Sequence, residues 1–210
     1  MSLTLFFRRR RMRRFERLFD LRETTRVLDV GGTPLNWTLT SVRPRLTVVN
    51  MPRAQEAGEP GGWVAADGRQ LPFADQSFDI VFSNSVIEHV GAAQDQQRFA
   101  SEAARVGKCY WVQTPNRWFP VELHLLTPFL HYLPRSWQSR VARRFTVWEH
   151  IVRPRPDQRE FYIEHYLRDI RLLDARTLQQ LFPGAQLIRE RFCGFTKSLI
   201  AMRRDQRPRD

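Results

Sequence analysis

Behind Arg26, residues 27–30 form a short apolar run broken only by Asp29, and it stops at Gly31-Gly32. A strand covered on both faces reads as a near-continuous apolar run, the signature of a parallel sheet with helices on each side. A glycine pair at its end lets backbone approach a ligand closely. In open α/β sheets the ligand sits beyond the carboxyl ends of the strands. An acid just before the turn suits a ligand with a cationic group and repels a dinucleotide phosphate. The dinucleotide fingerprint Gly-x-Gly-x-x-Gly is not met by Gly31-Gly32-Thr33-Pro34-Leu35-Asn36.

The rest of the chain repeats this strand-then-helix rhythm. Met12, Phe15, Leu18, Phe19 and Arg22 fall at helical spacing, which predicts an amphipathic helix over 8–22 with a basic face. Thr33 is a candidate cap and Pro34 a first-turn residue for a helix that Pro44 limits to about two turns. Further strands are expected at 46–50, 63–66, 78–83 and 109–113, with a loop over 52–62 and a helix over 93–106. Residues 115–166 break the rhythm with prolines and aromatic residues and are expected to form a helical insertion, or lid. A helix over 169–182, ended by Pro183-Gly184, then leads to a closing antiparallel pair at 186–192 and 199–203. Residues 205–210 are expected to be a frayed tail.

A chain of 210 residues suits one α/β domain, here assigned to 23–204 behind the N-terminal helix at 1–22. Cys109 and Cys193 are too far apart to pair as metal ligands. The histidines are isolated and lack helical pair spacing with acids, so no metal site is expected. Scarce cysteine fits a reducing compartment, no run reaches the length of a membrane span, and the arginines after Leu5-Phe6-Phe7 interrupt any signal-peptide core. The expected location is cytoplasmic. Net charge is +12, and residues 1–22 contribute +6 of it, with eight arginines against Glu16 and Asp20.

The order of elements is more telling than any one of them. Asp29-x-Gly31, Asn50, Asp67-Gly68, Leu71-Pro72-Phe73, Phe78-Asp79-Ile80-Val81 and Ser83-Asn84-Ser85-Val86-Ile87-Glu88-His89 together resemble the methyltransferase family often labelled type 11, over about residues 26–114. The resemblance implies a Rossmann-like α/β fold with strand order 3-2-1-4-5-7-6, S-adenosylmethionine as methyl donor and methyl transfer as activity. It implies that Asp29, Gly31 and Gly32 hold the methionine end of the donor, Asn50 the ribose, Asp67 and Gly68 the adenine, and Ser83 the central region. Two features depart from the family pattern. Thr33 and Leu35 replace the usual glycine continuation, and Asn50 stands where an acid is usual.

The segment from Val112 to His124 follows the fifth strand, where acceptor-side loops belong. Asn116, Trp118 and Glu122 are candidates for acceptor binding. His89 and His124 are candidates for the general base that an oxygen acceptor needs. Trp118, Phe119, Phe129, Tyr132, Trp137 and Trp148 are expected to form an apolar pocket, which favours a hydrophobic small molecule or a lipid-like acceptor. A rival reading takes the basic N-terminal helix as a nucleic-acid or ribosome contact. Another places it on the inner face of an anionic membrane, through Leu3, Leu5, Phe6 and Phe7 beside the arginines. A bland alternative docks the helix on the sheet with a solvated arginine face.

Overall fold

A computed structural model describes residues 3–51 and 62–204; most of the expected 52–62 loop and the 205–210 tail lie outside the described residues. Its centre is a seven-stranded sheet. Five parallel strands come first: β1 (Arg26–Val30), β2 (Arg45–Asn50), β3 (Gly62–Ala65), β4 (Phe78–Asn84) and β5 (Gly107–Pro115). A two-stranded hairpin, β6 (Val121–Glu122) and β7 (Thr127–Pro128), stands apart. The antiparallel strands β8 (Gln186–Phe192) and β9 (Phe195–Arg203) complete the sheet in the order β3-β2-β1-β4-β5-β9-β8. Counting only the strands of this sheet, that is 3-2-1-4-5-7-6, the Rossmann-like order that the resemblance implies.

Both faces of the sheet are covered, which explains the unbroken apolar runs. On one face, helix α2 (Ala93–Val106) and helix α6 (Ala175–Leu181) pack Phe99, Ala103, Val106 and Leu178 against Leu28, Val30, Val81 and Val112. On the other, helix α1 (Leu3–Phe19) and a 3₁₀ turn at Pro34–Leu39 supply Met12, Phe15 and Trp37 to a cluster with Val27, Phe82 and Trp111. Phe15 and Met12 are almost wholly buried, each worth roughly 1.5–3 kcal/mol relative to exposure. The N-terminal helix is therefore docked on the sheet. Its outer face exposes Arg9, Arg10, Arg13, Arg14 and Arg17.

Three local expectations are corrected. The first helix begins at Leu3 rather than residue 8, and its Phe7 packs against Phe192 of β8. Thr33 makes no side-chain cap, and the following turn is 3₁₀. The helix expected over 169–182 is shortened to Ala175–Leu181. One helix, α5 (Pro156–Asp169), ends where residue 169 was to begin one, and α6 starts afresh behind Asp174, whose carboxylate accepts from the Thr177 N–H at 2.8 Å. The link between them is occupied: Arg171 N–H donates to the Glu88 carbonyl, and Leu173 bridges to Asn116.

The insertion is helical as expected, with α3 (Arg135–Arg144), α4 (Val147–Val152) and α5 around a small core of its own. Leu125, Leu130, Trp148, Ile163 and Tyr166 form that core. Among the described residues no helix is long and apolar enough to cross a membrane.

Candidate active site

The carboxyl ends of β1, β2 and β3 open onto a cleft of about 450 Å³, within the range of small-molecule sites. Gly31, Asn50, Asp67 and Gly68 line it, together with Arg69, Ser85, His89 and His165. Two glycines shape its wall. Gly31 has φ of +74°, and a Cβ there would lie 2.6 Å from Val86. A Cβ on Gly68 would meet Phe99 and Val30 at 2.9 Å. The cradle thus requires glycine at both positions, as a backbone that must approach a bound ligand does.

Asp29, Gly32 and Ser83 do not line the cleft. Alternation along β1 turns the Asp29 side chain to the α1 face, where its Oδ2 accepts from Trp37 Nε1 at 2.8 Å and its Oδ1 has no partner. Burial pushes its carboxyl up to about 7, against the pull of that hydrogen bond. Gly32 packs directly on this carboxylate. Ser83 is buried and donates to the Val30 carbonyl at 3.0 Å. Ser85, just past the strand end at φ +57°, takes the place in the wall that Ser83 was expected to hold. Asn50 donates to the Gly32 carbonyl and accepts from Met51 N–H, so it also braces the glycine turn. The Asp67 carboxylate receives two-point donation from Arg69, which holds it below the usual carboxylate range. Arg69 reaches on to Asp95 at 3.0 Å and ties the cleft to α2.

A second cavity of about 310 Å³ adjoins the first. Ser85 and His89 line both. Its other walls include His124, Gln113, Arg8, Arg11 and Lys197. Arg11 is nearly buried and committed: its guanidinium grips both Glu190 oxygens at 2.9 and 2.6 Å and donates to Gln113 at 2.9 Å and to Asn84. Arg8 and Lys197 have no carboxylate partner among the described residues. Lys197 stands over the Phe7 ring at 4.5 Å, and burial with the Arg11 charge brings its ammonium down to about 8.

Between the cavities lies a chain of groups that sequence spacing hides. Glu122, 1% exposed, meets His124 Nδ1 at 2.6 Å and accepts from the N–H groups of His124 and Leu125. His124 Nε2 faces His89 Nε2 at 3.2 Å. His89 stacks on His165 at 5.6 Å, and His165 Nδ1 meets Asp169 at 2.8 Å. Burial first, then the neighbouring imidazoles, lower His89 to about 4. Glu88 is wholly buried; Thr114 donates to its Oε2 at 3.0 Å, while its Oε1 has no partner, and burial raises it to about 7. The expectation that the histidines are isolated therefore fails in space. Glu88, His89 and His124 hold ligand atoms within 4.8 Å of one another.

The acceptor-side assignments need correction. Asn116 is engaged elsewhere, donating to the Thr196 carbonyl at 2.8 Å and accepting from Trp118 N–H, and it lines neither cavity. Glu122 is buried, holds His124 and lines neither cavity. Trp118, 61% exposed, lines a separate hollow with Tyr132 and Arg135. Phe129 and Trp137 are also exposed, and Trp148 belongs to the insertion core. The aromatic residues do not converge beside the cleft, because the insertion uses them for its own packing and surface.

The model of the family described as methyltransferase domain matches residues 33–109, beginning just after Gly31-Gly32. An uncharacterized methyltransferase of Mycobacterium sp. (strain JLS) is 40% identical over 87 residues, 38% of this chain and 33% of that protein. A dimethylglycine N-methyltransferase of Parasynechococcus marenigrum (strain WH8102) is 29% identical over 135 residues, 57% of this chain and 45% of that protein. The chain thus spans about a third to a half of the length of these curated relatives. Among solved structures, the PH0226 protein of Pyrococcus horikoshii OT3 shares the fold with a TM-score of 0.59 at 14% identity, over 96% of this chain and 91% of that one.

Proposed function

We propose that this chain, a class I S-adenosylmethionine-dependent methyltransferase by domain and fold, transfers a methyl group to a small acceptor bearing an anionic group. The observation that carries the reading is the shared wall: Ser85 and His89 line both the 450 Å³ cleft and the 310 Å³ cavity. The first has the strand-end position and glycine cradle that fit the donor. Bound there, S-adenosylmethionine supplies a methyl group already made electrophilic by its sulfonium.

The protein's task is then alignment and exclusion of water. Gly31 and Gly68 let backbone close on the donor, and Asn50 and Asp67 offer polar atoms along it. An acceptor in the second cavity presents its nucleophile to the His89–His124 wall. Its anionic group is drawn to Arg8 and Lys197, whose charges are half-buried and have no carboxylate within salt-bridge distance among the described residues. The acceptor named for one relative, dimethylglycine, supports a small acceptor.

Transfer of labelled methyl from S-adenosylmethionine to hydroxy- and amino-carboxylates, and to their neutral amides, tests this. The carboxylates are expected to be preferred by about 10- to 150-fold in kcat/KM, the worth of a charge-assisted hydrogen bond. Lys197→Met should reduce that preference, leaving the part that Arg8 supplies. Equal turnover of acids and amides would overturn the anionic assignment.

A further inference from the structure

We propose that Glu88, His89 and His124 form a binding site for a divalent metal ion of the zinc class at the wall between the two cavities. The site rests on the reading above for its role toward an acceptor, but not for binding of the ion itself. Its ligand atoms are the Glu88 carboxylate and the Nε2 atoms of the two histidines, all within 4.8 Å. The Nε2–Nε2 separation is 3.2 Å. Two imidazoles on one tetrahedral zinc, each at about 2.0–2.1 Å, stand about 3.3 Å apart.

The independent observation is Glu88. Its Oε1 is buried without a hydrogen bond and lies 4.0 Å from His89 Nε2. A buried carboxylate oxygen left unpaired is costly, and a cation between it and the imidazoles supplies the missing partner. The surroundings resemble the outer shell of a built site. Glu122 holds His124 Nδ1 at 2.6 Å and so directs the Nε2 lone pair toward His89, as the carboxylate behind a zinc-bound histidine does. Arg11, whose charge acts on Glu88 from a distance, is paired with Glu190.

Two nitrogens and one oxygen favour zinc or cobalt over magnesium or calcium. Three protein ligands leave a coordination position open. His89 lines both cavities and His124 lines the second, so the site borders the acceptor side. An acceptor oxygen bound there would lose its proton more readily and be oriented toward the donor's methyl group.

The test uses the full chain without an affinity tag, stripped with chelator and reloaded with Zn²⁺ or Co²⁺ alone. About one equivalent should be retained, and Co²⁺ should give the visible bands of a four- or five-coordinate site. His124→Ala and Glu88→Gln should each weaken retention at least tenfold, and Glu122→Gln by about 10- to 100-fold. Circular dichroism confirms folding, and His124→Asn serves if His124→Ala is unstable. No retained metal at micromolar concentration in the wild-type chain would overturn the proposal, as would equal retention by the folded variants. Calorimetric titration of S-adenosylmethionine into the same metal-free protein reports separately on the donor reading.

Discussion

Gly32→Ala is expected to destabilise the fold by about 3 kcal/mol or more. The Cβ it introduces would fall on the Asp29 carboxylate, which is held in place by Trp37 Nε1 and has no solvent to retreat into. Overpacking a buried site costs typically 1–3 kcal/mol, and displacing a buried polar group from its partner adds to that. The cause can be isolated with a second change. Asp29→Ala removes the colliding group at the cost of leaving the Trp37 N–H unpaired. In a denaturant series, the Asp29→Ala/Gly32→Ala chain should be more stable than Gly32→Ala alone. A Gly32→Ala chain within about 1 kcal/mol of wild type would refute the packing of this turn.

Arg11→Met should cost about 3–5 kcal/mol, the range for removing one member of a buried ion pair. Arg11 and Glu190 are 6% and 12% exposed, and the guanidinium also ties α1 to Asn84 and Gln113 at the ends of β4 and β5. Loss of the cation leaves Glu190 largely desolvated and unpaired. Arg11→Met/Glu190→Met should recover most of the loss, because an apolar pair replaces a charged one. Equilibrium unfolding of the three variants decides it. A loss below about 1 kcal/mol would mean that the pair is as weak as a surface salt bridge.

Arg11 also shows why some of the molecule was legible in the sequence and some was not. The apolar runs at β1, β4 and β5, the glycine pair and the basic helix could be read because burial on both faces and helical spacing leave local marks. Within the run from Arg8 to Arg17, however, Arg11 lies four residues from both Phe7 and Phe15 and so shares their buried face. Treating the run as one solvated surface hid it. The fourth strand runs one residue further than expected, to Asn84, and the wall position falls at Ser85 just beyond it instead of at Ser83. The histidines escaped for a different reason. His89 and His124 are 35 residues apart and meet only because the 121–128 hairpin folds back on the strand ends. No local spacing encodes that meeting. The aromatic residues of the insertion misled in the opposite sense, since their number signals a core but not whose core it is.

Calorimetric titration of S-adenosylmethionine into the full chain, beside Gly31→Ala and Lys197→Met, tests the donor cleft most directly. The wild-type chain should bind one equivalent. Gly31→Ala combines a disfavoured φ with a Cβ against Val86 and should bind at least tenfold more weakly, about 1.4 kcal/mol or more. Lys197→Met, which alters only the neighbouring cavity, should bind as the wild type does. A folded wild-type chain that takes up no S-adenosylmethionine, or a folded Gly31→Ala chain with unchanged affinity, would contradict the assignment of this cleft to the methyl donor.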